Sequence, residues 1–314
     1  MWREVVELGG TLDKLDELRG SRVVADVAIL WDFESFWAQD LEWRPSVDVS
    51  HAERIRAYYE QLWRDGITVD FALPGQDLSA YKLVIAPAQY MLSAADAANL
   101  DRYVAAGGTL LVSFFSAIVD EHDAVHPGGF VAPLRDVLGL RVEEFLPLRE
   151  GSTCELAWSH GGEAATVESD AWQEDIVLAG AEVVATYVDG PGAAKAAITR
   201  NRHGDGVGWY VSTRPDAAAL GVLMSAVYAD AGVTPAALPA GLEVVVRRGD
   251  GADYLFAINH RDDVAAIAAH GFDLLTGETV DGSLDVAGGG IAVIRIASRS
   301  GIAAAQGDGE DGGR

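Results

Sequence analysis

Apolar runs in the first third of the chain place the strongest limits on its fold. They are VVADVAILWD (23–32), ITVDFAL (67–73), YKLVIAP (81–87) and TLLVSFF (109–115). The first is almost continuously apolar over the length of a strand, as expected for a central parallel strand that is covered on both faces. Strand-like runs that alternate with helical segments are typical of α/β folds. The sequence therefore predicts an open, mostly parallel sheet with helices on both faces.

The segments between these runs carry helix signals. Residues 2–18 and HAERIRAYYEQLWRDG (51–66) place apolar residues on one stripe at helical spacing. Further along, Ser93 precedes Asp96 by three residues, a spacing typical of a capped helix N-terminus. We expect this third helix to end at Gly107.

The pattern changes in the second half of the chain. From Arg141 to Thr213 we expect mainly β-segments, the clearest being two strands around the glycine turn of AAKAAITRNRHGDGVGWYVST (193–213). The remaining predictions are a closing helix (216–232), a proline-rich boundary (234–241), a small antiparallel β domain (242–297) and a disordered tail (298–314).

Charge and cysteine content exclude several functions. The 48 acidic residues outnumber the 23 basic ones, and the net charge is −25. Nucleic acid or an anionic membrane would need a concentrated basic patch, which the sequence does not display, so neither is predicted as a partner. The single cysteine, Cys154, excludes an intrachain disulfide and a cysteine-based zinc site, and no cofactor is predicted. Without a signal peptide or a membrane-length apolar run, the chain is predicted to be cytoplasmic.

The end of TLLVSFF is where many α/β hydrolases carry a nucleophile, on a strained turn of the form G-x-S-x-G. Ser113 and Ser116 are the hydroxyls at this position, but bulky residues flank them. We therefore predict a structural strand end without a nucleophile. DEHDAVH (120–126) precedes Pro-Gly-Gly, which favours a loop over a metal site. The alternative is a hydrolase-type site at the sheet edge, formed by Ser116, Asp120, Glu121 and His122.

The segment WDFESFWAQDLEWRP (31–45) combines aromatic and acidic side chains, and we interpret it as a loop after the first strand. Aromatic side chains pack at protein interfaces, and aromatic faces beside carboxylates also bind sugars. An interface is the favoured interpretation, because so much apolar surface is a poor fit to open solvent. The candidate residues of this interface or sugar-facing loop are Trp31, Asp32, Phe33, Glu34, Phe36, Trp37 and Trp43.

Four blocks of the sequence resemble the C-terminal part of glycoside hydrolase family 42 β-galactosidases. They are VADVAILWDFESFWA, YKLVIAPAQYMLS, GGTLLVSFFSAIVDEHDAVHPGGFVAPLRDVLGLRVEEFLPL and ITRNRHGDGVGWYVST. In that family a catalytic (β/α)8 barrel is followed by an α/β domain, related in fold to glutamine amidotransferases and named for trimerisation, and by a small β domain. The resemblance implies that residues 1–20 are a remnant of the last barrel helix. It implies that 21–235 form the trimerisation domain, with an amidotransferase-like (flavodoxin-like) sheet, and that 242–297 form the β domain.

The same resemblance implies that this chain carries no catalytic residue. Both catalytic glutamates of the family belong to the barrel, and retaining glycosidases need two such carboxylates close together. We therefore predict the non-catalytic assembly portion of a β-galactosidase. Its predicted partners are further copies of itself, as a homotrimer, and a separate or upstream catalytic barrel. The alternative is a free-standing α/β hydrolase or a sugar-binding module with a site at the carboxyl edge of the sheet.

Overall fold

The computed structural model describes residues 2–41, 46–159 and 165–297, so the predicted tail at 298–314 lies outside the described residues. The α-helices of this part of the chain are α1 (Trp2–Lys14), α2 (Phe33–Gln39), α3 (His51–Arg64), α4 (Ala94–Ala105), α5 (Arg135–Leu138) and α6 (Ala217–Ala231). The first nine strands are β1 (Arg22–Val23), β2 (Val27–Leu30), β3 (Val69–Ala72), β4 (Leu83–Ala86), β5 (Thr109–Ser113), β6 (Leu140–Pro147), β7 (Thr153–Trp158), β8 (Ala165–Asp170) and β9 (Trp172–Leu178). The others are β10 (Glu182–Tyr187), β11 (Ala196–His203), β12 (Gly206–Val211), β13 (Arg214–Pro215), β14 (Leu242–Arg248), β15 (Asp253–Asn259), β16 (Ala265–Asp273), β17 (Thr279–Val286) and β18 (Ile291–Ile296).

The chain divides into two compact units. The α/β unit comprises the described residues of Ala25–Leu62 and Val69–Pro235. The β unit comprises the described residues of Met1–Val24, Trp63–Thr68 and Ala236–Arg314. The first residues of the chain therefore group with its last strands.

A ten-stranded mixed sheet forms the centre of the α/β unit, in the order β13-β8-β7-β10-β11-β12-β5-β4-β2-β3. The five strands β12, β5, β4, β2 and β3 run parallel to one another, and the neighbours from β11 to β13 pair antiparallel. Every residue of β2, β4 and β5 is buried, which explains their apolar runs. The α/β class is confirmed, but the sheet is mixed, whereas the sequence predicted a mostly parallel one.

The local signals for the helices and for the hairpin are confirmed. Ser93 Oγ accepts a hydrogen bond from the Asp96 backbone N–H at 3.1 Å and so caps α4. Strands β11 and β12 form the predicted hairpin. Its turn contains Gly204 at φ +58°, where an added Cβ would lie 2.6 Å from the Ala105 carbonyl oxygen. Only glycine fits this turn, since the backbone of the preceding helix is fixed.

The apolar run at 23–32 is not one strand, and this part of the sequence interpretation is wrong. Strand β1 pairs with β14 in the β unit, whereas β2 pairs with β3 and β4 in the α/β unit. Asp26 lies between them, and its carbonyl oxygen accepts from the Lys82 backbone N–H at 2.7 Å. The Asp26 carboxylate also accepts from Lys82 Nζ at 2.7 Å. These two bonds hold Asp26 at the start of β4, outside either ladder.

The β unit is a six-stranded antiparallel sheet in the order β1-β14-β15-β18-β16-β17. Its core is formed mainly by small and β-branched residues that alternate along the strands, such as Ala257, Ile267 and Ile294. This pattern is typical of an antiparallel sheet with one covered face. The short strands predicted after Leu242 are therefore present.

Candidate functional site

Residues Phe33–Gln39 of the aromatic segment form helix α2, so the interpretation of this part as a loop is wrong. Asp32 lies just before α2 in an extended conformation, and its carboxylate accepts from the backbone N–H groups of Glu34 and Ser35 at 3.0 and 3.3 Å. Such a cap satisfies N–H groups that a helix start otherwise leaves unpaired. Glu34, in the first turn, adds a favourable interaction with the helix dipole. Asp32 is therefore a structural cap in this fold.

Polar side chains fix the inner face of α2 to the loop that follows β4. Ser35 Oγ donates to the Met91 carbonyl oxygen at 3.0 Å, and Gln39 Nε2 donates to the Ala88 carbonyl oxygen at 2.7 Å. Gln89 Nε2 donates back to Ser35 Oγ at 2.8 Å. Ser35, Gln39 and Gln89 are each at most 2% exposed. Sequence reasoning missed these residues, because the face that a helix buries is expected to be apolar, whereas α2 buries its polar face and exposes its apolar one.

The outer face of α2 carries large apolar side chains. Phe33, Trp37 and Leu41 follow one another at intervals of four residues and are 54%, 61% and 52% exposed. We call these three residues the aromatic ridge. The rings of Phe33 and Trp37 lie 5.7 Å apart, centroid to centroid. Residues four apart share one face of a helix, so Phe33 and Trp37 form an apolar strip on α2, and Leu41 follows two residues after the helix ends.

Trp31 contacts both the ridge and the ring of Phe36. The Trp31 ring lies 5.4 Å from Phe33 in an edge-on contact and 5.8 Å from Phe36 in a stacked one. It also stacks on His51 at 5.6 Å. The structure thus brings together the predicted residues Trp31 to Trp37, whereas Trp43 lies outside the described residues.

His51, the first residue of α3, is buried beneath Trp31 and was not among the predicted site residues. Its Nδ1 lies 2.9 Å from the Pro87 carbonyl oxygen and 3.1 Å from that of Ala88, so Nδ1 carries a proton and donates. Burial lowers the pKa of His51, and the two carbonyl contacts oppose this shift only in part. A neutral imidazole therefore ties α3 to the same loop that holds α2.

The turn after β5, at residues 114–117, has strained backbone geometry but exposes no hydroxyl group. We call this turn the elbow. Phe115 and Ala117 have left-handed φ angles of +63° and +50°. Ser113 Oγ accepts from the Ala88 backbone N–H at 2.7 Å, and Ser116 Oγ accepts from that of Gln89 at 2.9 Å. Both serines are 1% exposed, and their hydroxyls serve the backbone of the neighbouring loop.

The other residues of the alternative sheet-edge site do not join Ser116. Asp120 Oδ1 accepts from the backbone N–H groups of His122 and Ala124 at 2.9 and 3.0 Å, which lowers the pKa of this carboxyl. Glu121 and His122 are exposed on the same turn. The predicted loop at 120–126 is present, and Asp120 stabilises it locally.

Glu174 on β9 lies beneath the elbow and is fully buried. Its Oε1 accepts from Trp172 Nε1 at 3.0 Å, and its Oε2 accepts from the Tyr210 hydroxyl at 2.6 Å. The Phe115 backbone N–H also donates to this carboxyl. Burial outweighs these donors and raises the pKa of Glu174 to about 8, so the carboxyl is mostly neutral at pH 7.

Within residues 2–41, 46–159 and 165–297, no three His, Cys, Asp or Glu side chains are arranged to hold a metal ion. None of the helices in that part of the chain combines the length and the apolar character needed to cross a membrane.

Comparison with known families assigns each of two regions of the chain to a family. Residues 25–234 match the family described as "Beta-galactosidase trimerisation domain", and residues 241–295 match "Beta-galactosidase C-terminal domain". The chain belongs to the β-galactosidase trimerisation-domain family. This confirms the resemblance to the C-terminal part of glycoside hydrolase family 42 β-galactosidases.

Relatives of this β-galactosidase family are more than twice as long as the matched region. A β-galactosidase of Arthrobacter sp is 40% identical over 296 residues, which are 94% of this chain and 41% of the relative. BgaB of Geobacillus sp. (strain Y412MC61) is 44% identical over 263 residues, 83% of this chain and 38% of the relative. The crystal structure of β-galactosidase from Bacillus circulans sp. alkalophilus is 35% identical, with a TM-score of 0.89, and covers 94% of this chain and 45% of that one. The chain thus spans less than half of the relatives it matches.

Proposed function

We propose that this chain is the non-catalytic assembly portion of a β-galactosidase and that it forms a homotrimer through its α/β unit. The observation that carries the proposal is the aromatic ridge, whose three large side chains are each more than half exposed. A rigidly anchored apolar strip is unfavourable in water, and burial against a partner relieves this cost. The match to a trimerisation domain supports a second copy of the chain as that partner.

A cyclic trimer suits such a ridge. In a closed ring each copy buries one surface against a different surface of its neighbour, so one ridge per chain is enough for all three contacts. We propose that the ridge and the rings below it, Trp31 and Phe36, form one side of that contact. Trp43 is proposed as part of the same surface on its place in the sequence alone.

The second proposed partner is a catalytic barrel outside these 314 residues, which would carry the catalytic glutamates. The support comes from α1, since none of its thirteen described residues is buried. Trp2, Val5, Leu8 and Leu12 are between 54% and 79% exposed. An isolated helix of this length is marginal in water, so α1 needs a surface to pack on. We propose that residues 1–20 pack on this barrel. We also propose that the two domains that follow span residues 21–235 and 242–297, and the family matches at 25–234 and 241–295 support these bounds.

We further propose that the α/β unit has a flavodoxin-like, amidotransferase-related fold. Numbered by their position in the chain, its parallel strands lie in the order 2-1-3-4-5, which is the flavodoxin-like order. The left-handed Phe115 directly after β5 supports descent from an elbow whose nucleophile has been replaced. A cytoplasmic location is proposed because the single cysteine, Cys154, is buried and free.

Sugar binding at the ridge is the second candidate function. Phe33 and Trp37 are exposed aromatic residues, with Glu34 in the first turn of the same helix and Asp40 just after its last residue. The hydrolase alternative has less support, because Ser116 is buried and hydrogen-bonded to backbone groups. Titration of the chain with galactose or lactose, followed by tryptophan fluorescence, tests the sugar candidate.

The mass of the purified chain in solution tests the main proposal. Size exclusion with light scattering is expected to give a single species of about 100 kDa, three times the 33.2 kDa of one chain. A stable monomer at micromolar concentration would refute the trimer and would make the barrel the better partner for the ridge. A broad distribution of masses would also count against it, because a closed ring has one defined size.

A further inference from the structure

The buried carboxyl of Glu174 joins three separate segments of the α/β unit. It accepts hydrogen bonds from Trp172 on its own strand, from Tyr210 on β12 and from the Phe115 backbone after β5. Burial of a carboxyl costs desolvation free energy, which an apolar residue of the same size would avoid. A buried carboxyl therefore indicates a structural role. The position of Glu174 therefore points to a role in holding the elbow.

The elbow needs such support. Phe115 and Ala117 both adopt left-handed conformations, which are unfavourable for residues that carry a Cβ. Such a turn persists only where its surroundings fix it. The Phe115 ring is fully buried against Tyr90, Phe145 and Trp172, and Glu174 binds the Phe115 N–H from below.

The elbow is linked directly to α2. Ser116 Oγ receives the Gln89 backbone N–H, and Gln89 Nε2 donates to Ser35 Oγ on the inner face of α2. Ser35 in turn bonds both backbone groups of Met91. A change at the elbow therefore acts on the same loop that fixes α2.

We propose that Glu174 is a proton-controlled lock that holds the elbow, and with it α2, in place, and that loss of its proton favours local opening. Opening brings the carboxyl into water, where it ionises at its ordinary pKa of 4.5, whereas in the closed form its pKa is about 8. Between these two values the open form releases a proton that the closed form retains. Opening therefore becomes about tenfold more favourable for each pH unit from about 5 to about 8, and levels off above.

Few other titratable groups face Glu174. Tyr210 and Tyr187 are fully buried beside it, and burial raises the pKa of both well above the usual value, so they stay neutral over this range. Cys154 lies near Tyr187, and burial raises the pKa of its thiol. Asp175 pairs with Lys195 and, as the next residue along the strand, points to the opposite face. His51 contacts the loop beside the elbow, but burial lowers its pKa from the usual 6.5, so it stays neutral above that value. The pH dependence at the elbow between about pH 6.5 and pH 8 is therefore assigned to Glu174.

Hydrogen exchange of the full chain between pH 5 and pH 9, corrected for intrinsic exchange rates, tests the lock. The peptide that contains Phe115 is expected to be less protected than the β4 peptide that contains Ile85, because opening is local. Its protection is expected to fall about tenfold per pH unit up to about pH 8 and then to level off. The α2 peptide is expected to follow it. Equal protection of the Phe115 and Ile85 peptides would show that only global unfolding exposes Glu174, and would overturn the lock.

Variants separate Glu174 from other causes. Glu174→Gln removes the titration, so its elbow protection is expected to be independent of pH, whereas the exposed control Glu144→Gln keeps the full dependence. If Glu174→Gln does not fold, Tyr210→Phe serves instead. It removes a donor to the carboxyl and is expected to move the levelling-off to higher pH. An unchanged profile in the folded variants would overturn the proposal. The lock does not require self-association, so a monomeric chain would refute the trimer and leave this test intact.

Discussion

Replacing Trp37 with serine is expected to dissociate the trimer while leaving the protomer folded. The Trp37 side chain is 61% exposed on α2, and its ring contacts that of Phe33 on the same face. The bonds that hold α2 come from Ser35 and Gln39 on the opposite face. The substitution therefore removes ridge surface without disturbing the attachment of the helix.

The size of the effect follows from the exposed area. A large aromatic side chain offers up to about 250 Å², so the exposed part of Trp37 is about 150 Å². Burial of this area at about 25 cal/mol per Å² stabilises one contact by about 4 kcal/mol as an upper estimate. Central aromatic residues of interfaces typically contribute about 2–4 kcal/mol. The dissociation constant of each contact is therefore expected to rise by about one and a half to three orders of magnitude.

Sedimentation velocity over a dilution series measures this shift directly. Trp2→Ser is the matched control, because Trp2 is 79% exposed on α1 and lies outside the α/β unit. Circular dichroism verifies that both variants are folded. A Trp37→Ser variant that associates as strongly as the unchanged chain would refute the role of the ridge. Dissociation caused by Trp2→Ser alone would assign the association to α1 instead.

Three further outcomes are expected. The purified chain does not hydrolyse a chromogenic galactoside, because the glutamate pair of the family is expected in the barrel; turnover near that of a full-length enzyme would contradict this. Asp230→Asn lowers the free energy of unfolding by about 3 kcal/mol in urea titrations, because it leaves the buried Arg200 guanidinium without its bidentate partner. Asp263→Asn, which breaks the exposed Arg261 pair, leaves the urea midpoint unchanged, and equal effects of the two variants would refute this reasoning. Raising NaCl from 0.15 to 2 M increases Tm, because screening reduces the self-repulsion of a chain with net charge −25; a Tm that falls with salt would count against it.

Part of the site was predictable from sequence and part was not. The aromatic content of residues 31–37 was visible, and the structure gathers these rings at one end of the sheet. Their helical conformation was not visible, because the buried face of α2 is polar. Ser35 Oγ and Gln39 Nε2 donate to carbonyl groups of a loop about fifty residues further along the chain. The apolar stripe of Phe33 and Trp37 is visible in the sequence, but only that loop explains why this stripe faces outward and the polar face is buried.

The elements that could be predicted from the sequence are those whose causes lie in neighbouring residues. A strand covered on both faces must be apolar throughout, so β2, β4 and β5 could be read directly. Ser93 caps α4 with its own side chain, and the left-handed φ of Gly204 favours glycine in a tight turn, so both signals lie within a few residues.

The remaining features depend on contacts between segments that are far apart in the chain. The run at 23–32 divides between two sheets because Asp26 bonds to Lys82, and Glu174 reaches the elbow because β9 passes beneath it. The strained Phe115 conformation exists without glycine because rings and a carboxyl from distant strands surround it. These features depend on partners far away in the chain, whose hydrogen bonds and packing offset the local cost of a buried acid or a left-handed residue. A short stretch of sequence shows the residue that carries the local cost, but it does not show the distant residues that offset it.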